Sequence, residues 1–492
     1  MSLINISNLT FAYPGSSENI FENVSFQIDS SWKLGFIGRN GRGKTTFLNL
    51  LCGKYEYKGN ISANVDFDLF PYEIEDENTL TEEIIESVCF GCQPWQINRE
   101  LNLLGVSPDV IYRPFCTLSK GEQSKVMLAS LFVKENNFLL IDEPTNHLDI
   151  SGRQALGNYL KTKSGFILVS HDRNLLDECC DHILSVNRND IKIEKGNYSS
   201  WKMNKDRQDS FETAENEKLK KEIKRLSDTS AKKAQWSVKA EKSKFATDNS
   251  GSKIDRGYVG HKAAKAMKRS KVLEQRQQKT IDEKSKLMKN IESSQKLKIE
   301  QLNYPNDTLV SLNNVSIYYD GEPVCSDISF CICKGDRISL TGKNGSGKSS
   351  IIKLICTGGI DYTGEMKKRN SLKISYVSQD TSHLCSTLSE YAKENDIDET
   401  LFTAILSKLN LERSYFDRNI ENFSDGQKKK VLIARSLCEK SHLLVWDEPL
   451  NYIDIVSRVQ IEDLLLEYKP TILFVEHDKT FCDNIANKTV KL

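Results

Sequence analysis

Short apolar runs recur at matching places in the two halves of the chain, and each reads as a buried strand. In the first half they are Leu34-Gly35-Phe36-Ile37, Phe138-Leu139-Leu140-Ile141 and Phe166–Val169. In the second half they are Ile338-Ser339-Leu340-Thr341, Leu443-Leu444-Val445-Trp446 and Ile472–Val475. The first run of each set leads into a glycine-rich turn and then a helical pattern, over 45–51 and 349–355. The halves also repeat ahead of these runs. Ile6–Tyr13 recurs in kind as Leu312–Tyr319, and Val24–Ile28 as Ile328–Ile332. This pattern predicts an α/β fold with two similar domains, at about 1–200 (with a short insertion at about 73–117) and 306–492.

Between them the period changes. From about Lys205 to Phe245, and from about His261 to Glu300, Lys, Glu, Gln and Ala dominate. The sparse apolar residues Leu219, Ile223, Leu226, Met267, Leu287, Met288 and Ile291 fall at helical spacing. Turn residues interrupt the pattern at Thr247–Ser252, Gly257 and Gly260, and Pro305 closes it. Residues 201–305 therefore read as a linker of two antiparallel helices with a tip near 246–261. Helices of about 40 residues would reach about 60 Å. A disordered linker is the competing reading.

Charge sharpens the picture of this segment. The chain has no net charge, yet residues 202–300 carry 27 Lys and Arg against 15 Asp and Glu. A polyanion partner would suit that excess, and a solvated coiled coil would also produce it. No apolar run reaches the length of about 18 residues needed to span a bilayer. The start, Met1–Ser7, lacks the pattern of a signal peptide. Thirteen scattered cysteines fit a reducing compartment better than a disulfide framework. These points predict a soluble, cytoplasmic protein. The lone Cys89-Phe90-Gly91-Cys92 has no second ligand pair nearby, so it reads as two ordinary thiols.

The glycine turns carry the chemistry. Gly38-Arg39-Asn40-Gly41-Arg42-Gly43-Lys44-Thr45 and Gly342-Lys343-Asn344-Gly345-Ser346-Gly347-Lys348-Ser349 both fit the phosphate-loop pattern. Glycines let backbone N–H groups face phosphates. Lys44 and Lys348 neutralise them, and the Thr45 and Ser349 hydroxyls can hold Mg²⁺. The later strands end in acidic pairs, Asp142-Glu143 and Asp447-Glu448. The Asp suits Mg²⁺, and the Glu can orient or deprotonate an attacking water. A solvated helix cap would explain one such pair but not two in register.

Leu118-Ser119-Lys120-Gly121-Glu122-Gln123 and Phe423-Ser424-Asp425-Gly426-Gln427-Lys428 look like the signature of ATP-binding cassettes. With these, the chain resembles the ABC-F family, twin-cassette ATPases that act on ribosomes. The resemblance implies two ABC-type nucleotide-binding domains that pair head to tail and trap two ATP. One site would join Lys44, Thr45, Asp142 and Glu143 to Ser424 and Gly426. The other would join Lys348, Ser349, Asp447 and Glu448 to Ser119 and Gly121. The full set implied for ATP is Tyr13, Gly38, Asn40, Gly41, Gly43, Lys44, Thr45, Thr46, Ser119 and Gly121. Its second-half members are Tyr319, Gly342, Asn344, Gly345, Gly347, Lys348, Ser349, Ser350, Ser424 and Gly426. Mg²⁺ would be held by Thr45, Asp142, Ser349, Gln379 and Asp447. Glu143 and Glu448 would be catalytic, with His171 and His477 as γ-phosphate switches. Tyr13 and Tyr319 would stack on adenine, or they are core tyrosines.

The halves also depart from each other. Tyr72 stands where the second half has Gln379, Asn451–Asp454 replaces Asn146–Asp149, and Glu476 replaces Ser170. Unequal ATP sites are expected. The second half looks most like the antibiotic-resistance members of the family, the Lsa and Vga type. For those, the linker enters the tRNA exit site of the 70S ribosome, shifts P-site tRNA, and releases lincosamide, streptogramin A or pleuromutilin. Arg256, Tyr258, Lys262, Lys265, Lys268, Arg269 and Lys271 would then face rRNA or tRNA, since basic side chains neutralise phosphates. The resemblance also implies a monomer whose two cassettes pair with each other. The alternatives are a housekeeping ABC-F translation factor, the ATPase subunit of a membrane transporter and, more remotely, a DNA-repair ATPase.

Overall fold

The structure, a computed structural model, describes residues 2–16, 19–146, 148–186, 191–242, 301–302, 304, 306–319, 321–369 and 371–492. The chain divides into two compact units, Met1–Trp201 with Lys296–Leu492, and Lys202–Gln295.

In the first unit, each half builds a three-layer cassette. The first half has a six-stranded sheet in the order Asp66–Phe70, Asn137–Asp142, Phe166–Val169, Lys33–Gly38, His182–Val186, Ile191–Lys195. All neighbours are parallel except the last pair. The second half has a five-stranded parallel sheet in the order Ile374–Val377, Leu443–Asp447, Ile472–Val475, Arg337–Thr341, Lys488–Lys491. An antiparallel three-stranded sheet accompanies each, centred on Leu3–Phe11 and on Thr308–Tyr319.

Both faces of each parallel sheet are covered, which is why its strands read as continuous apolar runs. The two-residue side-chain period divides them between two cores. Phe138 and Leu140 join the core under the antiparallel sheet, while Leu139 and Ile141 join the core under the helices. Leu443 and Val445 part from Leu444 and Trp446 in the same way.

The stretch 73–117, expected as an insertion in the first domain only, has a counterpart in the second. Helices Thr81–Val88 and Pro94–Leu103 and short 3₁₀ turns at Pro108–Tyr112 and Phe115–Thr117 occupy it. The second cassette has helices Leu388–Glu394 and Glu399–Lys408 and 3₁₀ turns at Arg413–Tyr415 and Ile420–Asn422. Even the isolated bridges match, Leu80 with Pro114 and Thr387 with Asn419. The repeat is hidden in the sequence because the helices share only a buried apolar stripe and diverge on their exposed faces.

A helix runs Tyr198–Lys242, and its residues from Lys202 on are the described part of the second unit. It starts earlier than the expected Lys205. Asn197 accounts for this, because its Oδ1 accepts the Ser200 N–H at 3.1 Å in the manner of an N-cap. Lys202–Asp206 and Lys205–Asp209 pairs support its solvated surface. The expected tip near 246–261, the second linker helix, and Arg256, Tyr258, Lys262, Lys265, Lys268, Arg269 and Lys271 lie outside the described residues.

Candidate functional site at the cassette interface

In an open parallel sheet, ligands bind beyond the carboxyl ends of the strands. Strands Lys33–Gly38, Asn137–Asp142 and Phe166–Val169 are neighbours in the first sheet and bring the phosphate loop, Asp142-Glu143 and His171 together. Arg337–Thr341, Leu443–Asp447 and Ile472–Val475 do the same for the second.

Each phosphate loop ends at a helix N-terminus, Lys44–Leu51 and Lys348–Cys356, where backbone N–H groups and the helix dipole favour an anion. Gly43 caps the first helix at φ +86°, and a Cβ there would lie 2.5 Å from Ile20. Only glycine suits that position. Lys44 Nζ donates to Gly38 O at 2.8 Å and Asn40 Oδ1 at 3.2 Å. Lys348 Nζ likewise donates to Gly342 O and Lys343 O. Burial pushes both ammonium groups down from the usual lysine range, partly offset by the nearby carboxylates.

Thr45 Oγ1 donates to Asp142 Oδ2 at 2.7 Å, and Ser349 Oγ to Asp447 Oδ1 at 3.3 Å. A hydroxyl paired with one carboxylate fits Mg²⁺, which takes few protein oxygens and keeps several waters. Glu143 and Glu448 adopt left-handed backbone, φ 49° and 47°. Two matching non-glycine residues in that region mark a functional strain.

The two acids have different surroundings. Glu143 Oε1 is buried and lies 3.3 Å from His171 Nε2 without a hydrogen bond. Burial, then the Asp142 charge, push its carboxyl up to about 7. Glu448 accepts from Gln379 Nε2 at 2.9 Å and Asn451 Nδ2 at 2.7 Å. Its Oε1 is 3.5 Å from His477 Nε2. Burial opposes ionisation there too, but His477 and Asn451 outweigh it and hold the carboxyl below the usual range. Tyr72 takes no part at the first acid: its hydroxyl meets Ser130 Oγ at 3.1 Å, and its ring packs on the helical core. It does not reach Glu143, so no glutamine-like donor replaces Gln379 at that acid.

The cassettes meet across these sites. Asn40 Nδ2 donates to Tyr452 O at 2.9 Å. Gly426 is so close that a Cβ would lie 2.4 Å from Tyr452 O and 3.4 Å from Asn40 Nδ2. The second signature therefore faces the first phosphate loop. In the reciprocal site, the Asn344 backbone N–H bonds to Asp149. Ser119 and Ser424 are the N-caps of helices Lys120–Val133 and Asp425–Cys438, each in a capping box. Tyr13 and Tyr319 are 40% and 42% exposed, which removes the core-tyrosine reading. Tyr13 hydroxyl also meets Thr46 Oγ1 at 2.9 Å, beside the phosphate loop.

Sequence reasoning missed a buried inter-cassette ion pair. Arg173 Nη1 donates to Glu462 Oε2 at 3.2 Å and Arg173 Nη2 reaches Asp478 Oδ2 at 3.4 Å. By register, the equivalents of Arg173 and Glu462 in the other halves are Lys479 and Gly157, so the symmetry-related pair cannot form. That inequality in the repeat was the available signal.

A twin-cassette, nucleotide-binding α/β architecture is thus in place. The ABC transporter family model matches residues 21–146 and 325–451, and the chain belongs to that family. With two ABC domains, it hydrolyses ATP. Among its relatives is ATP-binding protein Uup of Buchnera aphidicola, 28% identical over 99% of this chain and 80% of the relative. ABC transporter F family member 2 of Arabidopsis thaliana is 26% identical over 99% and 76%. Ribosome protection protein VmlR of Bacillus subtilis is 26% identical over 99% and 86%. The Arabidopsis relative is named as a member of the ABC transporter F family. The fold is similar to that of an RNase-L inhibitor structure, with TM-score 0.63, 17% identity, and coverage of 99% of this chain and 87% of that one. Among the described residues, no helix is long and apolar enough to cross a membrane.

Proposed function

We propose that this protein is an ABC-F ATPase that acts on the ribosome from the cytoplasm, and that it dislodges drugs bound at the peptidyl-transferase centre. The observation that carries the reading is the paired interface, where the second signature at Gly426 meets the first phosphate loop at Asn40. Two ATP at such an interface would hold the cassettes together, and their hydrolysis would release them. The relative named as a ribosome protection protein matches nearly end to end, which supports the target.

Lys44 and Lys348 hold the phosphates, and Tyr13 and Tyr319 offer exposed rings to adenine. Thr45 with Asp142, and Ser349 with Asp447 and Gln379, would hold Mg²⁺, which neutralises phosphate charge when bound. Glu143 and Glu448 orient the attacking water and take its proton. His171 and His477 sit beside those acids and sense the γ-phosphate. The basic linker, with Lys262, Lys265, Lys268, Arg269 and Lys271, contacts rRNA and P-site tRNA.

The test is growth of a susceptible bacterium that expresses the chain, on lincomycin, tiamulin, virginiamycin M and an unrelated drug. Raised tolerance to the first three, lost in the Glu143→Gln/Glu448→Gln variant, supports the reading. Unchanged tolerance to all of them refutes drug release. A second reading, a translation factor for stalled ribosomes without any drug, is favoured by the likeness to proteins not named for resistance, such as Uup. The double variant should then still lock onto ribosomes with ATP; if it dissociates as fast as wild type, both readings fall.

A further inference from the structure

Glu476 follows the strand Ile472–Val475 and is 4% exposed. Its Oε1 accepts the Leu450 N–H at 2.7 Å, and its Oε2 accepts the His477 N–H at 3.0 Å. One buried carboxylate therefore ties the switch histidine of the second site to the turn that follows Glu448. Arg458 holds the same turn by its carbonyls, with Nη2 on Leu450 O and Nε on Ile453 O. Between those two carbonyls, Tyr452 O accepts from Asn40 Nδ2, and Asn40 Oδ1 accepts from Lys44 Nζ. The chain of bonds thus runs from Glu476 and His477 in the second site to Lys44 in the first. In the first cassette the equivalent residue is Ser170, whose hydroxyl instead accepts the Asp172 N–H at 3.1 Å.

We propose that Glu476 is a positioning residue that aligns His477 and Glu448 for hydrolysis in the second site and transmits the state of that site to the phosphate loop of the first. The two sites are joined by this one path, because Ser170 is too short to hold both a switch histidine and the following turn, so the symmetry-related path is not built. Both carboxylate oxygens are needed as acceptors. A glutamine would keep the shape but turn an NH₂ donor toward a backbone N–H, and a serine would reach neither partner.

The inference rests on the assignment of Lys44 and Lys348 to phosphate. It is tested on the full chain without ribosomes, so its failure is separable from that of the ribosomal reading. In a Lys44→Ala background, where the second site works alone, Glu476→Gln should lower kcat at least tenfold while KM changes less than threefold. In a Lys348→Ala background, Glu476→Gln should weaken ATP binding at the first site several-fold. Asn40→Ala should abolish that extra effect, because the two residues act through one path. Glu476→Ser is the second variant; Ser170 shows that this position of the fold accepts serine, and it should reproduce both effects. An unchanged kcat in the first background overturns the positioning role. Unchanged affinity at the first site, or strict additivity with Asn40→Ala, overturns the coupling, since a merely destabilised fold would give additive losses. A Lys44→Ala/Lys348→Ala chain that still binds ATP would sink the site assignment and this inference with it.

Discussion

Arg173→Ala should weaken the pairing of the two cassettes. Arg173, Glu462 and Asp478 are 7%, 5% and 0% exposed, so their charges have little water to fall back on. Removing one member of a buried ion pair costs about 3–5 kcal/mol, much of it the stranded partner charge. Here the partners keep other donors. Arg458 Nη1 still reaches Asp478 Oδ2 at 3.1 Å, and Asn484 Nδ2 reaches Glu462 Oε2 at 3.3 Å. The lower end applies, about 3 kcal/mol or roughly 150-fold in the pairing equilibrium. Because the pair crosses between cassettes, the loss falls on their association and not on either core. Thermal unfolding of the full chain should show one transition in wild type and a split or broadened one in Arg173→Ala, with the first step about 6–12 °C lower. Lys479→Ala, at the equivalent exposed position, should stay within about 0.5 kcal/mol of wild type. Arg173→Met/Glu462→Leu should regain most of the loss, since an apolar pair strands no charge. If Arg173→Ala melted like Lys479→Ala, the ion pair would contribute nothing to pairing and the reasoning would be wrong.

The pH dependence of the two sites should differ. Burial and Asp142 place Glu143 at about 7, and the acid serves as a base only when ionised, so turnover at the first site should climb between pH 6 and 8. Glu448 is held below the usual range, so the second site should be flat over that interval. Rate profiles of Lys348→Ala and Lys44→Ala chains compare them directly, and parallel profiles would refute the assignment. The raised Glu143 value also favours the folded state when that acid is protonated, a contribution present below about 4.5 and lost as pH rises through about 7. Tyr72→Phe should cost about 1 kcal/mol in a melt and leave ATP turnover unchanged, because the hydroxyl binds Ser130 and not the acid. Neutralising Lys262, Lys265, Lys268, Arg269 and Lys271 should flatten the salt dependence of ribosome binding by about 0.7 log units per lost phosphate contact, measured by co-sedimentation against salt.

Much of the site was legible because phosphate chemistry demands particular residues at set spacings. Glycine at positive φ, the lysine that follows, and an acid at a strand end can be found in a string of letters. Gly43, Lys44, Asp142 and Glu143 are local in this sense. The unequal residues Tyr72 and Glu476 were visible too, but only as departures. Nothing in the letters said that Tyr72 turns to Ser130, or that Glu476 grips both Leu450 and His477. The helical stretch 73–117 was misread because its likeness to the second cassette lies in packing, not in identity.

The sequence by itself determined the two cassettes, the phosphate loops, the acids and the chemistry they perform, because each is set by neighbours within a few residues. Only the tertiary structure decided how Asn40 meets Tyr452, and that Arg173 closes one side of the interface while Lys479 leaves the other without a matching pair. Those outcomes depend on contacts between residues some 300 to 400 positions apart. The physical reason is that a hydrogen bond or buried charge acts over a few ångströms, and the fold alone brings such distant residues within that range.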